Sequence, residues 1–293
     1  MIEAKIIADS VSEQGKRITT MQVKFHRFIL PEFNTHRVFS RNFSSSRAIP
    51  TAKLIEQVRT NPALPVHWGQ NQPGMQANVE LDTDMKAYAQ REWRIAANMA
   101  ADSAEELAKL GAHKQIVNRV LEPYLYATGI VTSTEWDNWF DLRAHPDAQP
   151  EIQELAVKMR EALHNSAPQE LKEGEWHLPY IYVHEKVDQF FKLPENKLML
   201  PRISAARCCR VSYLKQDGAV PSIEDDLALF QRLAGAVPIH ASPLEHQATP
   251  DQMAFTDGGY TELGYRNPAG HGNLNGWIQF RKIFELATNK LKL

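Results

Sequence analysis

In TTMQVKFHRFIL, residues 19–30, apolar side chains fall at Met21, Val23 and Phe25 with polar residues between them. A period of two is that of a half-buried strand, which Pro31 is expected to end. Farther on the period lengthens. From about residue 79 to 110, alanine-rich turns and Glu/Lys spacing predict a long helix, punctuated by Gly111. HKQIVNRVLEPY (113–124) predicts a second helix that stops near Pro123, and TSTEWDNWFDLR (132–143) a third. The third has cap candidates at Thr132 to Thr134 and carries Trp136, Trp139 and Phe140 on one face. PEIQELAVKMREALHN (150–165) predicts a fourth. In SIEDDLALFQRLAG, Ser222 is the expected cap and Asp225 the first-turn acid, with Ile223, Leu227, Phe230 and Ala234 on the apolar stripe. Residues 61–76, with Pro62, Pro65 and Pro73, read as loop, as does the Gly-, Pro- and Asn-rich stretch 247–276; GWIQFRKIFELA follows it. Residues 167–203 have little pattern. Strands and helices do not alternate regularly, so the expected class is α+β rather than a doubly wound sheet.

Composition narrows the partners. The chain has 293 residues, 43% hydrophobic and 23% charged, with a formal net charge of -2, so no global basic field recruits a nucleic-acid polymer. No apolar run is long enough for a membrane span, and the N-terminal MIEAKIIADSVSEQGK lacks the apolar core of a secretory signal. Cys208 and Cys209 are adjacent, which disfavours a bridge between them and gives no metal-ligand spacing; a reducing cytoplasm is the expected compartment.

Any anion binding must then be local, and NTHRVFSRNFSSSR (34–47) is where the donors concentrate. Arg37, Arg41 and Arg47, with Ser40, Ser44, Ser45 and Ser46, offer guanidinium and hydroxyl groups suited to phosphate, in what reads as a loop running into a helix. The same composition also suits a solvated polar loop. Arg143 lies four residues after Trp139 and seven after Trp136, on their helix face. A guanidinium there is either paired internally or aimed at an anionic ligand. PIHASPLEH (238–246) sets His240, Glu245 and His246 around Pro243 without a zinc-helix spacing, and GHGNLNG (270–276) lacks the dinucleotide-binding spacing and does not follow a strand.

Three stretches resemble the flavin-dependent thymidylate synthases. That family's signature runs Arg-His-Arg, Ser, Asn-Glu, Ser, Arg-Tyr at fixed intervals; here Thr35-His36-Arg37, Ser40, Asn42-Phe43, Ser45 and Arg47-Ala48 stand in register, with Thr35, Phe43 and Ala48 as departures. NRVLEPYLYATGIVTSTEWDNWFDLRAHPDAQPEI is similar to a second family stretch, with Arg119, Asn138, Arg143, Gln149 and Glu151 in register. CCRVSYLKQDG and HASPLEH resemble an Ala-Arg-Val-Ser-Phe strand and a His-x-Thr-Pro-x-Glu-His element, with Arg210, Ser212, His240, Ser242, Pro243, Glu245 and His246 in place. In the family this third piece precedes the signature. Here it follows, so the chain resembles a circularly permuted member, an arrangement that a fold with adjacent surface termini tolerates.

The resemblance implies an α+β fold with a central, mostly antiparallel sheet and long helices in permuted order. It implies a single domain over 1–293, with 157–200 and 247–276 as insertions or loops atypical of the family, and a homotetramer. The implied reaction is FAD-dependent transfer of a one-carbon unit from methylenetetrahydrofolate to C5 of dUMP, with NADPH as co-substrate. His36, Arg37, Asn42, Ser212 and Ser242 would bind FAD. Ser45, Arg47, Arg119 and Arg143 would bind the nucleotide. Arg143, Ser45 and His240 would carry the chemistry, His240 from the flavin or folate side. The family's Glu borders the nucleotide, so Phe43 in its place leaves open a hydroxymethylase acting on dUMP or dCMP. A non-catalytic flavin- or nucleotide-binding protein is the remaining alternative. The implied strand around Val211 should share a sheet with Met21–Phe25, and His240 and Ser242 should lie near His36 and Arg37.

Overall fold

In the computed structural model, which describes residues 1–211, 222–255 and 262–289, the expected strand is β2, Arg17–His26. Met21, Val23 and Phe25 are buried, as the alternation requires. The strand does not reach Pro31. Arg27–Ile29 form a 3-10 turn, and Leu30–Phe33 a single helical turn, α1, with Pro31 in its first positions, where a missing N–H costs nothing.

Four other strands of the same sheet were not legible from the pattern. β1, Glu3–Ser12, forms an antiparallel hairpin with β2, its turn closed at Gly15 with φ of 77°. Both its faces are partly covered, so the sequence shows no alternation. β3 is Ser40–Phe43, inside the stretch read as a loop entering a helix. β4, Tyr126–Ser133, is buried along nearly its whole length and so carries no period-two signal. It claims Thr132 and Ser133, which corrects the cap expected there: the helix begins later, with Trp136 at its N-cap. With β5, Gln169–Leu171, the sheet order is β3-β4-β2-β1-β5, antiparallel except for the β1–β5 pair.

The helices are α2 (Thr51–Thr60), α3 (Thr83–Lys109), α4 (Lys114–Val117), α5 (Asp137–Arg143) and α6 (Pro150–His164). They continue with α7 (Val183–Val187), α8 (Gln189–Lys192), α9 (Met199–Arg210), α10 (Ile223–Ala234) and α11 (Phe280–Asn289). The helix expected over 113–124 is α4 followed by 3-10 turns from Asn118 to Tyr124, which accommodate Pro123. α10 starts as expected, Ser222 accepting from the Asp225 N–H in a capping box. Residues 247–276 are not all loop. β6 (Ala248–Pro250) pairs with β9 (Trp277–Gln279), and β7 (Met253–Phe255) with β8 (Glu262–Tyr265); strands of three or four residues are too short to display a period.

The resemblance placed a strand around Val211, and the structure overturns it. Residues 199–210 are α9, with Val211 as its C-cap. Helical spacing brings Arg207 and Arg210, three apart, onto the buried Asp226 of α10, at 2.8 and 3.1 Å. Arg207 also meets Glu185 of α7 at 2.7 Å.

The two faces of the sheet differ in chemistry. One is apolar: Met21, Val23, Phe25, Ala127 and Val131 pack with Trp136 and Trp139 around α5 and with Ile152, Leu155 and Met159 of α6. The other is hydroxylic. Register sets Thr20 opposite Thr132 and Thr132 opposite Ser40, and all three are buried. Residues from the C-terminal half cover them. His177 joins Ser10 at 2.9 Å to Thr20 at 2.8 Å; Thr20 meets Thr132 at 2.6 Å, and Thr132 meets His246 Nδ1 at 2.8 Å. Burial pushes both imidazoles down to about 3, so they are neutral links of a polar seam. No described helix is long and apolar enough to cross a membrane.

Candidate active site

β3 is an edge strand, and its pleat divides the residues of the polar stretch between two faces. Arg41 and Phe43 take one side. The Phe43 ring lies edge-on to Phe25 and Phe33, 5.4 Å from each, so the position expected to border the nucleotide contributes to the aromatic core. Its cross-strand partner is Gly129, where a Cβ would stand 2.2 Å from the Phe43 ring; only glycine admits that approach. Arg41 Nη1 donates to the carbonyls of Asn34 and His36, at 2.9 and 2.7 Å. It staples the loop, unlike the anion donor its composition suggested. Arg37 and Arg47 remain exposed.

Ser40 and Asn42 take the opposite side. Asn42 Nδ2 donates to Cys208 O at 2.8 Å, and Ser242 Oγ approaches Asn42 Oδ1 at 3.5 Å across 200 residues of sequence. The expectation set Ser242 and His240 near His36 and Arg37; the contact the structure shows is that of Ser242 with Asn42. Ser212 lies outside the described residues. His240 is exposed, with its backbone N–H donating to Leu233 O at 3.1 Å.

The loop before β3 packs on α5. His36 is buried edge-on against Trp139, 4.7 Å between ring centres, and Phe39 lies 5.0 Å from Trp136. These aromatic contacts use the helix face read from Trp136 and Trp139. One turn beyond Trp139, Arg143 emerges at the edge of that face. Its Nε donates to His36 Nε2 at 3.0 Å, and its Nη2 reaches Thr35 Oγ1 at 3.5 Å. Burial, followed by Arg143 and Arg41, holds the His36 imidazole below its usual pKa. It is thus a neutral acceptor, its proton on Nδ1. Among the described residues, no carboxylate pairs with Arg143. The guanidinium borders a cavity of about 1160 Å³ between the 65–78 loop, α5 and α6, shared with His145, Gln149 and Trp93.

The other half of the polar stretch turns toward a second cluster. Ser45 precedes the 3-10 turn Ser46–Ala48. Ser46 Oγ donates to Glu122 Oε1, which also receives Arg119 at 2.9 Å and Arg27 at 3.2 Å. Asn118 fixes the turn by donating to the carbonyls of Ser46 and Ile49. Glu122 thus ties Arg119 to Ser46, the residue between Ser45 and Arg47, while Arg143 bonds His36 on the other side of β3 in the chain. Sequence reasoning missed Asn118, Glu122 and Arg27, and the pattern of the chain carried no signal for them. It also missed Asn273 and Gln279, which bond Ser40.

A search of curated protein sequences gives no match. Among solved structures, the chain is similar to a UMP/dUMP methylase, PolB, from Streptomyces cacaoi bound with 5-Br UMP: TM-score 0.47, 17% identity, 56% of this chain and 88% of that one covered. The same protein bound with 5-Br dUMP gives a TM-score of 0.47 and 18% identity, with 56% and 90% covered. The sequence profile of the family described as Thymidylate synthase complementing protein matches residues 10–169. That span runs from the end of β1 through the polar stretch, Arg119, Arg143 and all of α6, more than half of the 293 residues, and the chain belongs to this family.

Proposed function

We propose that the protein is an FAD-dependent enzyme transferring the one-carbon unit of 5,10-methylenetetrahydrofolate to C5 of dUMP. The observation that carries the reading is Arg143: a guanidinium held by a neutral imidazole at the edge of a cavity, with no carboxylate on it among the described residues. A charge left uncompensated by the protein is available to an anionic ligand. Donors suited to the pyrophosphate of FAD lie on both sides of β3. Arg37 is exposed beside the His36 loop, and Asn42 and Ser242 supply amide and hydroxyl groups on the far side of β3, with Ser212 as the family's further contact. When bound and reduced by NADPH, the flavin supplies the hydride that completes a methyl group.

The chain's own residues have the tasks of binding and polarising. Ser45, Arg47 and Arg119 hold the nucleotide phosphate. Arg143 would lie along the pyrimidine and stabilise the electron-rich, enolate-like form in which C5 is nucleophilic; as C5 attacks the methylene carbon, the methylene–nitrogen bond of the folate breaks and C5 gives up its proton. His240 faces the flavin or folate. Cys208 and Cys209 take no part: both are buried, and burial raises the Cys209 thiol to about 11. The separation of the Arg143 group from the Arg119 group within one chain suits a site completed by a second copy, and we read the enzyme as a homotetramer in a reducing cytoplasm. We also read the whole chain as one domain in permuted order. Tyr180 bonded to Gln22 at 2.7 Å, and Arg207 bonded to Glu185, support inclusion of 157–200 in that body.

One observation favours a second reading on the same scaffold. The family's Glu is replaced by Phe43, whose ring is turned into the core, and this changes the wall the nucleotide meets. If water rather than hydride quenched the exocyclic methylene, the product would be a 5-hydroxymethyl nucleotide. Mass analysis after incubation with methylenetetrahydrofolate and either dUMP or dCMP, with and without NADPH, decides. A gain of one methyl group on dUMP that requires NADPH supports the proposal. A hydroxymethyl product replaces it with the second reading, and unchanged nucleotide in the presence of bound flavin removes both.

A further inference from the structure

GHGNLNG, residues 270–276, is not a nucleotide-binding turn, yet it is built with care for geometry. Gly272 has φ of 61°, and a Cβ there would stand 2.8 Å from Gln279 Oε1. The turn is held from behind by the buried Asp251, which accepts from the Asn267 N–H at 2.8 Å, from Asn267 Nδ2 at 2.9 Å and from His271 Nε2 at 2.8 Å. His271 Nδ1 accepts in turn from the Gly276 N–H at 3.2 Å. This scaffold presents two amides to the polar stretch. Asn273 Nδ2 donates to Val38 O at 2.9 Å and lies 3.0 Å from Ser40 Oγ. Gln279 Nε2 reaches Asn273 Oδ1 at 3.0 Å, Ser40 Oγ at 3.4 Å and Glu245 O at 3.3 Å.

We propose that Asn273, supported by Gln279, is a positioning residue that clasps Val38 and Ser40 and so holds the anion-binding loop in its binding geometry. The inference rests on the reading of that loop as part of the FAD site. Three alternate carbonyls of the loop are committed inward: Asn34 and His36 to Arg41, Val38 to Asn273. Among the described residues, the N–H groups of Arg37 and Val38 have no hydrogen-bond partner. Two free amides beside an exposed guanidinium are donors open to an anion. Their orientation depends on the carbonyls staying turned away, and an edge strand of four residues cannot secure that alone. Asn273 comes from outside the 10–169 span that matches the family, so this chain supplies the clasp from its own C-terminal segment.

The test uses the full chain carrying Asn273→Ala, with Asn273→Asp as the second variant. Asp keeps the oxygen that accepts from Gln279 but loses the donor to Val38. Asn273 is half-buried at the surface, so both variants should melt within a few degrees of the wild type. Amide hydrogen exchange of flavin-free protein should then quicken about tenfold or more over residues 36–43 in both variants, the loss expected for one or two hydrogen bonds, while α6 stays unchanged. FAD titrated into each variant should bind about tenfold more weakly than into wild type. Unchanged exchange over 36–43 in either folded variant overturns the inference, as does full FAD affinity in Asn273→Asp. Wild-type protein that takes up no FAD removes the flavin reading instead, and the exchange measurement still judges the clasp.

Discussion

Arg143→Ala separates a ligand-binding arginine from a structural one. In the free protein the side chain makes one good hydrogen bond, to His36, and a long one to Thr35, and it is partly exposed. Its removal takes the donor from His36 Nε2 and vacates the space of a partly exposed side chain, where water can replace it. The stability cost is therefore that of a single partly solvated bond, about 1 kcal/mol, or a melting shift of about 2–4 °C. A nucleotide would lose more. One charge-assisted contact is worth roughly 1.5–3 kcal/mol, which corresponds to about a ten- to hundredfold weaker affinity for dUMP. Turnover should fall further, because the same charge acts on the pyrimidine as negative charge develops. Arg143→Lys should recover only part of the loss: it keeps a charge but cannot reproduce the planar donor set that bonds His36. The assays are a thermal melt, calorimetric titration of dUMP in the presence of FAD, and single-turnover product formation. A drop of ten degrees or more, with dUMP affinity intact, would mean that the arginine is a structural strut. Wild-type turnover in a folded Arg143→Ala protein would refute the catalytic assignment outright.

Other consequences can be checked with simpler measurements. His177 and His246 are neutral in the fold, with pKa values near 3 against 6.5 when free, so the unfolded chain binds more protons between those limits. Stability should therefore be complete above about pH 6.5 and fall as pH drops toward 3, by up to about 1.4 kcal/mol per pH unit for each imidazole; urea midpoints at pH 5 and 7 test this, and His246→Gln, which cannot gain the proton, should flatten the profile. Gly129→Ala forces a Cβ into the Phe43 ring and against Asn42 O, and should destabilise by roughly 1–3 kcal/mol in a urea melt; an unchanged midpoint would show that β3 gives way without cost. Arg207→Ala strands the buried Glu185 and leaves the buried Asp226 with Arg210 alone, and should cost about 3–5 kcal/mol by chemical denaturation, whereas a loss under 1 kcal/mol would show that the network is dispensable. Arg37→Ala should weaken FAD binding more than Arg47→Ala does, since the two lie on different flanks of β3; the reverse order would exchange the two subsites.

What could be read from the chain alone was whatever has one buried face and a local period. Met21, Val23 and Phe25 of β2, the long α3, α6 and the Ser222 cap of α10 all stand where the pattern put them, within a few residues. The side of α5 that carries Trp136, Trp139 and Arg143 was likewise fixed by helical spacing, because a helix determines its own face without reference to its neighbours. β4 escaped notice because both its sides are covered, which erases alternation, and its β-branched end was mistaken for a helix cap. The segment before Val211 looked like a strand by resemblance, yet it is helical because Arg207 and Arg210 must reach one buried carboxylate from positions three apart. The roles within the polar stretch were decided only by tertiary contact. Nothing local distinguishes Arg41, which staples carbonyls, from Arg37, which is exposed, and nothing in GHGNLNG points to Val38, 235 positions away. A hydrogen bond between remote segments leaves no period in either of them, so the sequence could name the donors and only the fold could assign their partners.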